Sequence, residues 1–232
     1  MKRRKTLRLP HRRKREGKTD YHLRLRLLKS KKPRFVVRKS SNNIICQIIR
    51  FEITGDKVVV SVDSKELKKF GWKYHCGNLP AAYLTGFLCA EKAKHHKVKE
   101  VVFDMGLYGA TQGNRLFSTL KGAVDGGLNV PHSEEILPKQ ERFSGKHIAD
   151  YAEKLKAEDA AKYKKVFSAH IKNKTEPKDL PKAFEDAKKK ISAGKHEPKK
   201  TAAKATKKTE TKTPVKKKET NSKKKAPTKA KK

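Results

Sequence analysis

Charge in this chain is segregated, and the segregation decides which parts can fold. Residues 1–34 carry 16 basic and 2 acidic residues, net +14. Residues 35–155 carry 18 and 13, net +5, and residues 156–232 carry 27 and 9, net +18. Crowded like charges repel, and unpaired charges resist burial, so a packed core is expected only in the middle stretch. The total of +37 over 232 residues is far beyond what solubility needs. It implies a polyanionic partner, because neutralising phosphates releases counterions and drives association. Nucleic acid is the first candidate and an anionic membrane surface the second.

The two basic ends differ in kind. In the N-terminal arm, "RRKTLRLPHRRKREGKTDYHLRLRLLKSKKPR", Arg outnumbers Lys, and Arg suits bidentate phosphate contact and base stacking. Pro10 prevents one long helix. From Thr19-Asp20, a cap signal, "YHLRLRLLKS" turns helical. Leu23 and Leu27, with Tyr21 or Leu28, are expected to face the body, and Arg24, Arg26 and Lys29 to stay outside. A membrane-surface helix would want bulky Trp or Phe on its apolar face, and this arm has neither. Ile191 to Lys232 lacks any aromatic residue and is Lys-dominated. Such a segment cannot bury enough apolar surface to offset its ordering entropy, so it reads as a disordered polybasic tail that adds nonspecific affinity.

The middle reads as α/β with a mixed sheet. "PRFVVRKS", "NNIICQIIRFE" and "KVVVSVD" are β-branched runs joined by turn material at Ser41-Asn42-Asn43 and "ITGDK", an expected antiparallel meander. "DSKELKKFG" is a short capped helix, and "GNLPAAYLTGFLCAEKAKHH" a longer one with Pro80 in its first turn. Gly86, inside it, costs stability unless something packs closely there. "VKEVVFD" is a fourth strand, expected parallel to the third through a helical crossover. "NRLFSTLKGAVDGGL" is the next helix, ended by Gly126-Gly127. "GKHIADYAEKLKAEDAAKYKKVFSAHIKNK" spaces its apolar residues as one long helix or two. The boundaries are an arm at 1–33, a core at 34–135, a helical extension at 136–190 and the tail at 191–232.

Enzyme chemistry finds little support. After the fourth strand, Gly106, Gly109 and Gly113 lead into a helix N-terminus, the usual makings of an anion site. Yet Gly113 is followed by Asn114-Arg115 rather than the Lys-Ser/Thr of a P-loop, and the glycine spacing is not G-x-G-x-x-G. The loop is then either a turn that glycine permits or a contact to RNA phosphate. Asp63 and Asp104 both end strands, where a two-metal nuclease would place acids, but Asp63 is already explained as a helix cap. Cys46, Cys76 and Cys89 fit reduced thiols of a cytosolic protein. A zinc set from Cys76, Cys89, His95 and His96 lacks knuckle spacing. No apolar run approaches the ~20 residues of a spanning helix. The first 18 residues lack the apolar stretch of a signal peptide. The readings left are an RNA-docking structural protein, a free basic nucleic-acid protein, and a metal nuclease using Asp63 and Asp104.

Three stretches, "RRKREGKTDYHLRLRLLKSKKPRFVVRKS", "GWKYHCGNLPAAYLTGFL" and "DMGLYGATQGNRLFSTLKGAVDGGLNVPHS", carry a resemblance. Over residues 3–155 the chain resembles the universal 5S rRNA-binding family of the large ribosomal subunit, protein eighteen in bacteria and archaea and protein five in eukaryotes. The long arm and "PHSEEILP…RFSGKHIADYAEKL" look archaeal, and no match is expected past about residue 160. The resemblance implies a ribonuclease H-like mixed sheet without nuclease activity or cofactor, in a cytoplasmic large subunit. It implies binding to 5S rRNA at the central protuberance, contact with the 23S-type large rRNA, and large-subunit protein five as a neighbour. No membrane or small-molecule substrate is implied. By position, RNA contacts would come from Arg3, Arg4, Lys5, Arg12, Arg13, Lys14, Arg15, Tyr21, Arg24 and Arg26 of the arm. Arg34, Arg38, Ser40 and Gln47 would add contacts around the first hairpin, and Thr111, Asn114 and Arg115, beside Gly113, at the loop edge. Asn78 would cap the crossover helix. Ser41 departs from the Asn that the family often has there.

Overall fold

Strand alternation separates two faces with opposite chemistry. In β1 (Arg34–Lys39), β2 (Ile44–Glu52) and β3 (Gly55–Asp63), one side carries Phe35, Val37, Ile44, Cys46, Ile48, Val60 and Val62, all buried. The other carries Arg34, Val36, Arg38, Ile45, Gln47 and Ile49, because successive side chains point to opposite faces. The computed structural model describes residues 9–173 and 175–194. Arg3, Arg4 and Lys5, and all of the expected tail past Gly194, lie outside the described residues.

The three strands form the expected meander, with Val37 opposite Cys46 and Cys46 opposite Val62. The fourth strand, β4 (Val102–Asp104), runs parallel to β3 as expected, since β1 and β3 are both antiparallel to β2. It is parallel to β1 and beside it, giving the order β3-β2-β1-β4. The crossover helix α3 (Leu79–His95) is long enough to carry the chain over the whole meander to its far edge, so β4 does not return beside β3. Asp63 and Asp104 therefore sit on opposite edges of the sheet. With strands about 4.8 Å apart, two intervening strands put them far beyond the ~4 Å spacing of a metal pair.

Helix α3 starts where Asn78 accepts the Ala81 N–H at 2.9 Å, as expected. It is buried on nearly every side, from Pro80 to Ala90. Its main neighbour is α4 (Arg115–Asp125), and the two cross at a pair of glycines. A Cβ on Gly86 would run into the Thr119 carbonyl oxygen, and one on Gly122 into the Tyr83 carbonyl oxygen. The mid-helix glycine is thus explained: the backbones touch there. The segment expected as a short helix after β3 is a 3₁₀ helix, Ser64–Phe70, capped by Asp63 at the Lys65 N–H.

A third layer covers the helices. Helices α5 (Gln140–Ser144), α6 (Lys146–Glu158), α7 (Ala160–Val166), α8 (Ser168–Lys172) and α9 (Leu180–Ala193) follow the core. The stretch expected as one or two helices is thus three, α6 to α8, bent around a small cluster of Ala152, Leu155 and Phe167. Leu180, Phe184, Ala187 and Ile191 form the buried stripe of α9. Tyr83 of α3 stacks on Phe143 at 4.7 Å between ring centres, and donates to Asp125 at 2.7 Å. Lys188 of α9 donates to the same hydroxyl at 3.0 Å. Burial, then the Asp125 bond, pushes the Tyr83 hydroxyl far above its usual pKa. Ile191, taken as the first residue of the tail, is fully buried, so the ordered extension runs on through Ala193.

The glycine crossing makes a sharp prediction. Gly→Ala inside a helix ordinarily gains about 1 kcal/mol. Gly86→Ala should instead lower the unfolding free energy by about 2 kcal/mol or more, since overpacking a tight contact costs about 1–3 kcal/mol or above. Urea denaturation of the full chain measures this, and an unchanged or raised midpoint would contradict the close crossing.

Candidate nucleic-acid interface

The sheet face away from the helices holds a row of charges. Arg34 opens β1, and Asp104 lies opposite Val36 on β4, so alternation puts both on this face. Arg34 Nη1 donates to Asp104 Oδ2 at 2.8 Å, and Nη2 to Asp56 Oδ2 at 2.7 Å. Its side chain is only 5% exposed. Asp104 Oδ1 also accepts the Gly106 N–H at 2.8 Å, starting the glycine loop. Arg38 Nη1 reaches the carbonyls of Val37 and Asp104 at 3.0 and 3.3 Å.

The N-terminal arm docks over this row. Helices α1 (Arg12–Arg15) and α2 (Tyr21–Lys29) lead into β1. Asp20 caps α2 by accepting from His22 and Leu23, as the sequence signals. Arg24 was expected outside, but it turns inward and grips Asp56 with both Nη atoms, at 2.8 and 2.9 Å. Helical spacing places it on the same side as Leu23, Leu27 and Leu28, which are all partly buried. The Arg24 bond holds the Asp56 carboxyl below the usual carboxylate range, against the opposing pull of desolvation, and Arg34 adds to the effect. Between arm and sheet lies a cavity of about 540 Å³, lined by Arg13, Lys18, Arg24, Arg34, Arg38 and Gln47 among others.

The sequence-expected residues thus fall into two sets. Arg12, Arg13, Lys14, Arg15 and Arg26 are exposed. Arg12 pairs with Glu16 at 2.7 Å and Arg13 donates to Thr19 at 2.8 Å, whereas Lys14, Arg15 and Arg26 have no ion pair among the described residues. Tyr21 packs its ring 5.2 Å from that of His11, and Gln47 donates to Ser61 at 3.3 Å. The other set is turned to structure. Ser40 closes the β1–β2 turn, its hydroxyl accepting from Asn43 N–H at 2.9 Å. Arg115 Nη1 donates to the carbonyls of Ser40 and Gly77 at 3.0 and 2.9 Å. Asn114 caps α4 by accepting from Leu116 and Phe117, so amides that an anion would need are already taken. Thr111 is exposed on the loop, and its carbonyl accepts from Asn114 N–H. Gly106, at φ 67°, leaves room for the Arg38 guanidinium that a Cβ would crowd. Sequence reasoning missed Asp56, which reads as plain turn material in "ITGDK"; only the fold brings it to Arg24 and Arg34.

The enzyme constellations do not assemble. Asp104 is consumed by Arg34, and Asp63 by its cap. No cluster of three or more metal-ligating side chains occurs among the described residues. Burial pushes the Cys89 thiol up to about 12, and raises Cys46 and Cys76 too, which keeps them protonated and poor as metal ligands.

Two measurements test the ion network. Arg34→Met removes the buried cation that Asp56 and Asp104 share, and breaking a buried pair costs about 3–5 kcal/mol, so a drop of that size is expected in urea melts. A loss below 1 kcal/mol would show that the network is dispensable. Asp56 has a lowered folded pKa, so its stabilisation is complete above the unfolded carboxylate value of about 3.9 and is lost as pH falls through the folded one. The stability gap between wild type and Asp56→Asn should therefore be full at neutral pH and close as pH falls below about 4. A gap independent of pH would refute that assignment.

Comparison with known proteins identifies the family. Residues 5–99 and 91–133 match the family described as ribosomal large subunit proteins 60S L5, and 50S L18. The large ribosomal subunit protein uL18 of the archaeon Methanococcus maripaludis is 53% identical over 184 residues, covering 79% of this chain and 95% of that protein. An alignment of that length runs well past residue 160, where the resemblance was expected to stop, and so takes in most of the helical extension. The chain belongs to this family of large-subunit ribosomal proteins, and it is a structural component rather than an enzyme.

Proposed function

We propose that this large-subunit protein binds 5S rRNA through its N-terminal arm and the adjoining sheet face, and attaches it to the large rRNA at the central protuberance. Large-subunit protein five would be a neighbour there. The observation that carries the reading is an Arg-rich arm held at a fixed place. Arg24 is tied to Asp56, and this leaves Arg13, Lys14, Arg15 and Arg26 exposed on an ordered support. A fixed row of guanidinium groups can match the phosphate spacing of one folded RNA, which a flexible cationic tail cannot. RNA helices are read mostly by shape and backbone contact, so register matters more than base readout.

In this reading Arg24, Arg34 and Arg38 are positioning residues. Their forks are spent on Asp56, Asp104 and backbone carbonyls, and they set the arm's height over the sheet. Arg13, Lys14, Arg15, Arg26, Tyr21 and Gln47 are the contact residues. Ser40, Thr111, Asn114 and Arg115 shape the neighbouring turn and loop. Arg3, Arg4 and Lys5 extend the arm.

The test is a salt titration of the full chain on 5S rRNA and on an unrelated RNA of similar length. Wild type should prefer 5S rRNA. Replacing Arg13, Lys14, Arg15 and Arg26 together by Gln should reduce that preference and lower the salt slope by roughly 0.7–0.9 per lost phosphate contact. Equal wild-type affinity for both RNAs at moderate salt, or a variant that keeps full preference, would defeat the proposal.

A further inference from the structure

A cleft of about 400 Å³ lies between the Trp72–Gly77 turn and α8, and it shares no lining residue with the cavity under the arm. Its chemistry is split between cations and carbon. Lys65, Lys68 and Lys73 line it, all three exposed, and no carboxylate does. In the 3₁₀ helix, three residues per turn put Lys65 and Lys68 on one side. The acids nearest in sequence are engaged elsewhere: Glu66 pairs with Lys92 at 2.6 Å, and Asp63 accepts the Lys65 N–H. None of the three ammonium groups has an ion pair among the described residues.

The rest of the wall is more apolar than polar. Tyr74 and Cys76 are buried in it, and Ala169 and His170 close it from α8. Burial, and then His75, hold His170 below the ordinary imidazole range, so at neutral pH its ring is uncharged and adds carbon surface. Burial also raises the Cys76 thiol, which stays a small neutral group. The polar atoms of the turn are already used. The Tyr74 hydroxyl donates to the Glu176 carbonyl at 2.8 Å, and the Trp72 indole N–H to the His75 carbonyl at 3.3 Å. His75 Nδ1 accepts the Gly77 N–H at 3.1 Å, so the neutral ring keeps its proton on Nε2, which disfavours a metal held between the two histidines. A Cβ on Gly77 would run into the Ser41 carbonyl, so this turn is seated firmly on the β1–β2 turn. Asn42, Asn43 and Asn173 also line the cleft, and their side-chain amides have no hydrogen bond among the described residues.

We propose that this cleft docks an acidic protein segment carrying an apolar side chain beside its carboxylates. A phosphodiester backbone offers only acceptors and has nothing to lay on an apolar wall. A peptide supplies three matching parts. Its apolar side chain fills the space against Tyr74, Cys76 and Ala169, as an anchor in a desolvated pocket does. Its carboxylates meet the three lysines at the edge. Its backbone presents both N–H and C=O groups, and the asparagine amides are donor and acceptor together. The volume falls within the roughly 300–1,000 Å³ of ligand clefts. The proposal is independent of which RNA the arm holds.

The probe is a synthetic peptide, Glu-Asp-Glu-Phe-Asp-Glu, with photoreactive benzoylphenylalanine at its aromatic position, irradiated with the full chain at moderate salt. Mass spectrometry should place the adducts within residues 42–43, 65–76 and 169–173. By fluorescence anisotropy the Phe peptide should bind about tenfold more tightly than the same peptide with Ser in that place, the gain expected from burying an aromatic side chain. The Lys65→Gln/Lys68→Gln/Lys73→Gln variant changes only exposed side chains and should cut adduct yield about fivefold or more, the sum of three exposed ion pairs. Ala169→Trp, at an exposed position of α8, should block the cleft with its lysines intact. Adducts confined to the arm or to other basic surface, equal affinity for the two peptides, or full adduct yield in both variants would overturn the proposal. So would protection of the three lysines from acetylation by large-subunit rRNA where the peptide gives none, which would assign the cleft to RNA. The adduct map is read on the wild type, so it decides even where a variant fails to fold.

Discussion

The structure depends on a buried guanidinium. Arg34 sits on the sheet with almost no exposure, and it is tolerable there because Asp56 and Asp104 each take one end of its fork. Removing two ions from water costs several kcal/mol apiece, so such a cluster exists only where geometry and hydrogen bonds are nearly complete. The Arg34 Nε is left without a partner, the one such buried side-chain atom among the described residues. Other atoms of Arg34 line the cavity under the arm.

That cluster also decides what can cover the sheet. An apolar helix laid over Arg34, Asp56 and Asp104 would have to desolvate them further, so the helical layers gather on the opposite face. What covers the charged face is the arm, which supplies a matching cation, Arg24, to the shared carboxylate Asp56. One acid thus connects arm, first strand and meander. The exposed arginines inherit their place from an interaction they do not make.

The other side of the molecule is built by close approach. The paired glycines Gly86 and Gly122 let α3 and α4 touch backbone to backbone, and the stripe of α9 closes over α3 through Tyr83, Phe143 and Phe184. Interiors this dense transmit position well. The Trp72–Gly77 turn is tied to the helical extension by the Tyr74 hydroxyl, which donates to the Glu176 carbonyl, and by the Tyr74 ring against His170 of α8.

The sequence by itself determined the strands, the caps and the charge plan. Alternation in "FVV" and "NIICQII", Asp20 before α2 and Asn78 before α3 act over a few residues, and local rules read them correctly. It also carried the family resemblance, and with it the ribosomal setting. The tertiary structure decided what no local rule can reach. Asp56 reads as a turn residue and becomes the anchor of Arg24 and Arg34, 32 and 22 positions away. Arg24, outward by composition, turns inward because its partner arrives from another strand. The fourth strand goes to the far edge because α3 spans the meander, and Ile191, in a stretch of lysines, is buried because α9 brings it to the core. In each case the deciding contact joins residues far apart in the chain, so its energy appears only once the fold has closed around it.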